Sequence, residues 1–167
     1  SDGKVGLWEM STGRRLASVQ AHPADWIAPV VALSPDGRIL ATGAYNGDAS
    51  GAMLWDVQPE LKPIQSVTRP RIGVTAIAIS ADGKRLAAAI RDQAIAIVDV
   101  QTRQPEREIH LEGYWVVNAA AVSPDGQLLA IGGDSGTAQL WEVRTGQLHA
   151  ALKGHTSTVY AIAFSPD

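Results

Sequence analysis

The sequence contains no cysteine among its 167 residues, which excludes disulfide bonds, thiolate metal ligands and a cysteine nucleophile. An excess of charge of one sign is also missing, because 14 Lys and Arg residues stand against 17 Asp and Glu residues. This balance argues against nucleic acid or an anionic membrane as the main partner. No apolar run approaches the roughly 18 residues needed to span a bilayer. We therefore expect a globular protein of the cytoplasm.

Aromatic residues make up only 5% of the chain, yet five of them are tryptophan, against three tyrosines and one phenylalanine. Glycine and proline, at 16 and 9 residues, are typical of a chain with many turns. Two short phrases recur at intervals of about 43 residues. The first, of the type Ser-Pro-Asp-Gly, stands at 34–37, 80–83 and 123–126, and as Ser-Pro-Asp at 165–167. The second, of the type Leu-Trp-Asp-Val, stands at 7–10, 54–57, 97–100 and 140–143.

Within each period the apolar residues form short runs rich in β-branched side chains, as at 74–79, which indicates strands rather than helices. The Asp-Gly phrase that follows favours a turn, because Asp bonds local backbone and Gly accepts a positive φ. A second short strand, a polar turn, the Leu-Trp-Asp strand, another turn and a fourth strand complete the period. The sequence therefore predicts an all-β fold with four antiparallel strands per period.

These features resemble the WD repeats of a β-propeller, and the resemblance covers essentially the whole chain. It is closest at 140–146, followed by Gly154-His155 and the phrase at 165–167. The resemblance implies four-stranded antiparallel blades arranged around a channel. We label the strands of a blade a to d from the channel outwards. The Ser-Pro-Asp-Gly phrase then joins strand a to strand b, and Leu-Trp-Asp lies in strand c.

The repeats predict incomplete blades at both ends of the chain. The predicted parts are strands c and d of a first blade at 1–24, full blades at 25–68, 69–112 and 113–153, and strand a of a fifth blade at 154–167. Because strand b lies between a and c, the two ends cannot complete a blade by pairing with each other. We expect a segment of a longer propeller. Assembly with other copies or another chain, and a distorted four-blade ring, remain open.

Tryptophan recurs at one position of strand c, as Trp8, Trp55 and Trp141, and is replaced by Val98 in the third repeat. A ligand-stacking role is one interpretation of these indoles. Their periodicity favours the other, which is that each packs between adjacent blades.

In the family, a histidine of the d–a loop joins a buried network with an aspartate of the b–c turn, a strand-b hydroxyl and the tryptophan. The resemblance gives His155, Asp2 and Asp92 such structural roles, although no blade of this chain shows all four members. His22 and His110 lie at irregular offsets from the turn serine. We predict that these two are surface or capping residues.

The alternation of strand direction places the d–a and b–c loops on one rim, the loop rim, and the a–b and c–d turns on the other, the turn rim. The loop rim carries the residue types that dominate interface energetics. The candidate partner-binding residues there are Trp26, Tyr45, Arg71, Arg91, Tyr114 and Trp115. The hypothesis is that an acidic or carboxylate-bearing protein segment docks across five of them, Trp26, Tyr45, Arg71, Arg91 and Trp115. The alternative is that Trp26 and Trp115 pack against the blades and that the arginines are solvated.

The sequence predicts a non-catalytic scaffold that presents rim loops to protein or peptide partners. Further blades of the same chain are the other expected partner. We predict no cofactor, metal, nucleic acid or membrane. The four histidines show no metal-ligand spacing, and 132–136 lacks the Lys and the helix that a phosphate loop needs. The alternative function is the sensor or regulatory portion of a larger signalling enzyme, such as a kinase or a nucleotide-hydrolysing switch.

Overall fold

The computed structural model describes residues 2–46, 49–57, 61–66, 73–90, 94–112 and 116–165. Within these ranges the chain forms 14 β-strands and no helix. All the strand pairs are antiparallel, and they form one two-stranded and three four-stranded sheets. The predicted all-β fold with four-stranded antiparallel blades is confirmed.

Each sheet is built from strands that follow one another in the chain. The first sheet contains β1 (Lys4–Trp8) and β2 (Arg15–Gln20). The second contains β3 (Ile27–Leu33), β4 (Ile39–Asn46), β5 (Ala49–Asp56) and β6 (Lys62–Ser66). The third contains β7 (Val74–Ile79), β8 (Arg85–Ile90), β9 (Ala94–Asp99) and β10 (Pro105–His110). The fourth contains β11 (Val117–Val122), β12 (Leu128–Gly133), β13 (Ala138–Glu142) and β14 (Leu148–Leu152).

The a–b turns repeat one hydrogen-bond arrangement in three blades. In the fourth blade the Ser123 hydroxyl donates to Asp125 Oδ1 at 2.5 Å and accepts from the Leu128 N–H at 2.9 Å. Asp125 Oδ1 also accepts from the Gln127 N–H at 3.0 Å, and Gly126 has a φ of 70°. Equivalent bonds connect the serine, the aspartate and the next strand in the other two turns. The recurring phrase therefore encodes a self-contained turn that fixes the register of strands a and b.

The c–d turns of the first, third and fourth blades each close with a residue at positive φ. This residue is Gly13 at 68° and Gly146 at 70°, but Arg103 at 64° in the third blade. Its N–H donates at 2.8 Å to the carbonyl of the acidic residue that ends strand c or, in the first blade, directly follows it. Arg103 therefore holds a left-handed backbone that glycine adopts at lower cost.

The blades pack through apolar clusters that each combine two consecutive blades. Trp141 of the fourth blade packs in a cluster with Ile97 and Ile109 of the third. Val98 of the third blade lies in a cluster with Leu54 of the second, and Trp55 lies with Val5 of the first. In the second, third and fourth blades, the strand-c residue at the tryptophan position therefore contacts the blade that precedes it in the chain.

Strand a of one blade closely approaches strand b of the blade before it. A Cβ at Gly43 would lie 2.7 Å from Val74 Cγ1, and a Cβ at Gly132 would lie 2.6 Å from Val159 Cγ1. Ordinary van der Waals contact between carbons is wider than this, so a side chain at either glycine would force the blades apart. Strand b thus offers a recess into which the valine of the next repeat fits.

Two predictions need qualification against the structure. Trp8 is 58% exposed, whereas Trp55 and Trp141 are 4% and 7% exposed, so the predicted packing of Trp8 between blades is not seen among the described residues and stays a prediction. The predicted strand a of a fifth blade is not formed within the described residues 153–165, since a strand requires a hydrogen-bonded neighbouring strand. The Val159 N–H nevertheless donates to the Gly133 carbonyl at 2.9 Å. The blade boundaries remain predictions.

Candidate functional site

The structure describes only part of the predicted loop rim. Trp26 lies within the described residues, and the backbone of Tyr45 belongs to β4. The side chain of Tyr45 lies outside the described residues. So do the four other predicted rim residues, which are Arg71, Arg91, Tyr114 and Trp115, and the predicted turn aspartate Asp92. Their joint role in partner binding stays a prediction.

Trp26 uses one face of its indole within the second blade. Its ring stacks on the imidazole of His22, with ring centroids 5.5 Å apart and an interplanar angle of 19°. A turn brings the two rings together, because the backbone N–H of Trp26 donates to the Pro23 carbonyl at 3.1 Å. The side chain is half-buried. Trp26 therefore covers an internal residue and still presents surface at the rim.

Beneath Trp26 lies a buried polar network of three side chains. His22 Nε2 lies 3.0 Å from Thr42 Oγ1, and the Trp55 indole N–H donates to the same oxygen at 3.0 Å. All three side chains are buried. Burial lowers the pKa of His22 from its usual value. The prediction that His22 is a surface or capping residue is therefore wrong as to the surface, because the buried imidazole joins the d–a loop to strand b of its blade.

The aspartate that would complete this network is replaced by Ser50 in the second blade. A second bond nevertheless connects the end of strand b with the d–a loop of this blade at the rim. Asn46 Nδ2 donates to Asp25 Oδ2 at 2.6 Å, which joins the end of strand b to the d–a loop. The loop rim of the second blade is thus held by contacts both at its surface and in its interior.

The indole N–H of the fourth blade's tryptophan has a different hydrogen-bond acceptor. Ile131 occupies the position that Thr42 has in the second blade. Thr42 pairs with Met53 and Ile131 pairs with Gln139, and each partner stands two residues before the tryptophan of strand c. The Trp141 N–H donates instead to Gln139 Oε1 on its own strand, at 3.0 Å. His155 is exposed.

Asp2, the other predicted turn aspartate, is also exposed, and its Oδ1 accepts from the Lys4 N–H at 3.2 Å within the same turn. The network that the resemblance implied for His155 and Asp2 is therefore not formed among the described residues.

The turn rim carries carboxylates fixed by local bonds. Hydrogen bonds from Ser34, Ser80 and Ser123, together with backbone N–H groups, lower the pKa values of Asp36, Asp82 and Asp125. Arg38 and Lys84 lie 3.9 and 4.0 Å from the neighbouring aspartates, and both are largely exposed. Such exposed pairs contribute little to stability.

The described residues contain no group of three or more His, Asp or Glu side chains that could hold a metal ion. None of the described segments forms a helix long and apolar enough to cross a bilayer. In the same part of the chain, every buried side-chain nitrogen and oxygen has a hydrogen-bond partner.

The WD domain, G-beta repeat family matches residues 13–56, 105–142 and 146–167, more than half of the chain. The chain belongs to the WD-repeat family. The matched stretches of WD repeat omit 57–104, where Val98 stands at the tryptophan position and Ala88 at the position of Thr42. The third WD blade nevertheless forms all four strands.

Curated relatives of this WD-repeat chain include proteins from several lineages. The WD repeat-containing protein SL1-17 of Schistosoma mansoni is 32% identical over 88% of this chain and 46% of its own length. The Periodic tryptophan protein 2 homolog of Dictyostelium discoideum is 29% identical over 98% of this chain and 18% of its own length. The Nuclear distribution protein PAC1 of Arthroderma benhamiae is 26% identical over 99% of this chain and 37% of its own length. The chain thus spans less than half the length of these relatives.

Proposed function

We propose that this chain is a non-catalytic scaffold of the cytoplasm that presents its loop rim to protein or peptide partners. WD repeats generally mediate protein–protein interaction. The geometry supports this proposal through a rigid base: three four-stranded sheets joined by apolar clusters, with the d–a loop of the second blade bonded to the end of strand b. A preorganised surface loses less entropy on binding than a flexible one.

The observation that carries the proposal is where the perturbed titratable groups lie. Groups with shifted pKa values often gather in catalytic clefts. Among the described residues, the lowered pKa values of Asp36, Asp82, Asp125 and Asp99 arise chiefly from bonds within turns. The pKa of Arg85 is raised chiefly by its hydrogen bond to Glu106 within one blade, and that of His22 is lowered by burial in the network. Each of these shifts thus has a structural cause, which supports a non-catalytic role for the described residues.

The first step of the test is to identify a partner through the rim itself. A photo-crosslinking amino acid is placed at Ala24, which is exposed in the d–a loop beside Trp26. The matched control places it at Glu108, which is exposed on strand β10 away from the rim. A partner protein that crosslinks at 24 and not at 108 is purified, and its dissociation constant for the chain is measured by calorimetry.

The second step compares two double charge reversals of equal size. Arg71→Glu with Arg91→Glu changes the loop rim, and Arg38→Glu with Lys84→Glu changes the turn rim. We expect the first pair to weaken binding about tenfold or more without lowering the melting temperature, since interface arginines are frequent hot spots. The second pair leaves binding unchanged. If the turn-rim pair is the damaging one, the assignment of the binding face is wrong.

A further inference from the structure

A cavity of about 730 Å³ lies between the third and fourth blades on the turn rim. This interblade groove is lined from the third blade by Arg85, Glu106 and Arg107. The fourth blade contributes 125–128 from its a–b turn, 142–144 from the end of strand c, and His149. The volume falls in the range of about 300–1,000 Å³ typical of ligand sites. The groove is therefore large enough to take several side chains of a bound peptide.

The acidic groups of the interblade groove are already engaged. Glu106 Oε2 accepts from Arg85 Nε at 2.8 Å. Glu142 accepts from the Thr145 hydroxyl at 2.9 Å, and its other oxygen lies 3.7 Å from His149 Nδ1. Asp125 is held in the a–b turn by the bonds described above. Each carboxylate thus has a partner within its own blade.

Two cations of the groove are in a different situation. Arg107 and Arg144 are both exposed, and neither forms an ion pair or side-chain hydrogen bond with another described residue. The stem of Arg107 lies across the c–d turn of the fourth blade, where a Cβ at Gly146 would be 3.1 Å from Arg107 Cδ. This contact brings the Arg107 side chain from the third blade to the turn that carries Arg144.

Both arginines depart from the pattern of the other repeats. The strand register places Arg107 opposite Ile97, and the equivalent residues of the other blades are Ala17, Gln65 and Ala150. Arg144 stands two residues after the acidic residue at the end of strand c. The same position is Ser11 in the first blade and Gln101 in the third. A general requirement of the blade therefore does not explain either cation, and both meet at one blade interface.

We propose that the interblade groove binds an acidic segment of a partner protein, with a carboxylate held between Arg107 and Arg144. Guanidinium groups present planar pairs of donors that match a carboxylate, and charge-assisted bonds of this kind are strong. The half-buried Leu128 and the buried Val143 give the groove an apolar component, which suits an apolar residue next to the acid. This inference goes beyond the proposed function, because it concerns the opposite rim.

The experiment uses the purified chain and a defined probe. The probe is an acetylated, fluorescein-labelled hexapeptide of alternating Asp and Leu, and the matched probe carries Asn in place of Asp. Fluorescence anisotropy gives the dissociation constant for the unaltered chain, for Arg107→Gln with Arg144→Gln, and for Arg14→Gln with Arg15→Gln. The last pair removes the same charge from exposed positions of the first blade. Melting temperatures verify that the variants fold, and the single Arg144→Gln variant replaces the double one if they do not.

We expect the Asp peptide to bind and the Asn peptide to bind at least about tenfold more weakly, since the charge-assisted bonds are lost. Arg107→Gln with Arg144→Gln reduces affinity for the Asp peptide by a similar factor, whereas the first-blade pair leaves it within about twofold. Equal losses for the two pairs would show attraction by net charge alone and would overturn the proposal. So would no binding of the Asp peptide, or binding only of a peptide with phosphoserine in place of Asp. These outcomes do not depend on the loop rim, whose test stands separately.

Discussion

The indole nitrogen of Trp55 lies 3.0 Å from the hydroxyl oxygen of Thr42 and donates its proton to that oxygen inside the second blade. His22 Nε2 lies 3.0 Å from the same atom. One hydroxyl therefore serves two ring nitrogens from opposite ends of the repeat, one in the d–a loop and one in strand c. The network makes the rim of this blade depend on its interior, because Trp26 stacks on His22.

Replacing Thr42 by Val tests the network. The substitution keeps the shape of the side chain but leaves the Trp55 N–H and a His22 nitrogen without a partner in a buried site. An unmet buried polar group costs about 1–3 kcal/mol, so we expect a loss of about 2–4 kcal/mol in the free energy of unfolding. Denaturant unfolding measures it. Thr42→Ser keeps the hydroxyl and serves as the control; if Ser and Val cost the same, the hydrogen bonds contribute nothing.

The pH dependence of stability should report on His22. Because burial lowers its pKa in the folded state, the unfolded chain takes up a proton near its usual value of about 6.5 while the folded chain does not. The contribution of His22 is therefore fully present above about pH 6.5 and is lost as the pH falls below it. Melting temperatures between pH 8 and pH 5 should decline less for His22→Gln than for the unaltered chain.

The control for this experiment is His155→Gln, which alters an exposed histidine and keeps His22. It should retain the decline of the unaltered chain. The turn aspartates do not confuse the measurement, because their lowered pKa values place their loss of stability below about pH 4. An equal decline in both histidine variants would show that His22 is not responsible.

The tryptophans of strand c should differ in their contribution to stability. Trp141→Ala removes a buried ring from the cluster between the third and fourth blades and should cost about 3–5 kcal/mol. Trp8→Ala removes a ring that is 58% exposed and should cost about 1 kcal/mol or less. Parallel urea titrations compare them. Similar losses would contradict the burial that the structure assigns to these two positions.

Arg103 offers a stabilising substitution. Its φ of 64° costs an L-residue about 1–2 kcal/mol, a strain that glycine avoids. Glycine loses part of this advantage because it gives the unfolded chain more conformational freedom. We expect Arg103→Gly to raise the free energy of unfolding by about 0.5–1 kcal/mol. The reverse change, Gly13→Arg at a φ of 68° in open space, should destabilise by a similar amount. A destabilising Arg103→Gly would mean that the arginine side chain, not the backbone, decides the outcome.

The repeat could be predicted from the sequence because its determinants are local. The Ser-Pro-Asp-Gly phrase closes its own turn through Ser123, Asp125 and the next strand, and period-two apolar runs flank it. Strand order and sheet composition follow from such turns, because each of them joins neighbouring strands. The family resemblance and the all-β fold rest on this local code.

The role of His22 could not be predicted from its spacing. The Pro23–Trp26 turn adds residues between the histidine and strand a, so the offset to the turn serine differs from that of His155. A count along the chain does not reveal where a turn of variable length returns in space. The hydroxyl of Thr42 in strand b was the available signal. The exposure of Trp8 was missed for another reason: the repeat pattern does not show which neighbouring blade a tryptophan contacts.

The unequal positions of the strands within a blade have a consequence for amide hydrogen exchange. Each d strand pairs with one neighbour and is largely exposed, as the pattern of β10 and β14 shows, whereas β8 and β12 pair on both sides and are buried. Local opening begins where few buried contacts hold the backbone. Deuterium should therefore enter strand d first and strand b last in each blade. Protection against exchange, plotted along the chain, would then rise and fall once per repeat, so that exchange rates vary with the same period as the sequence.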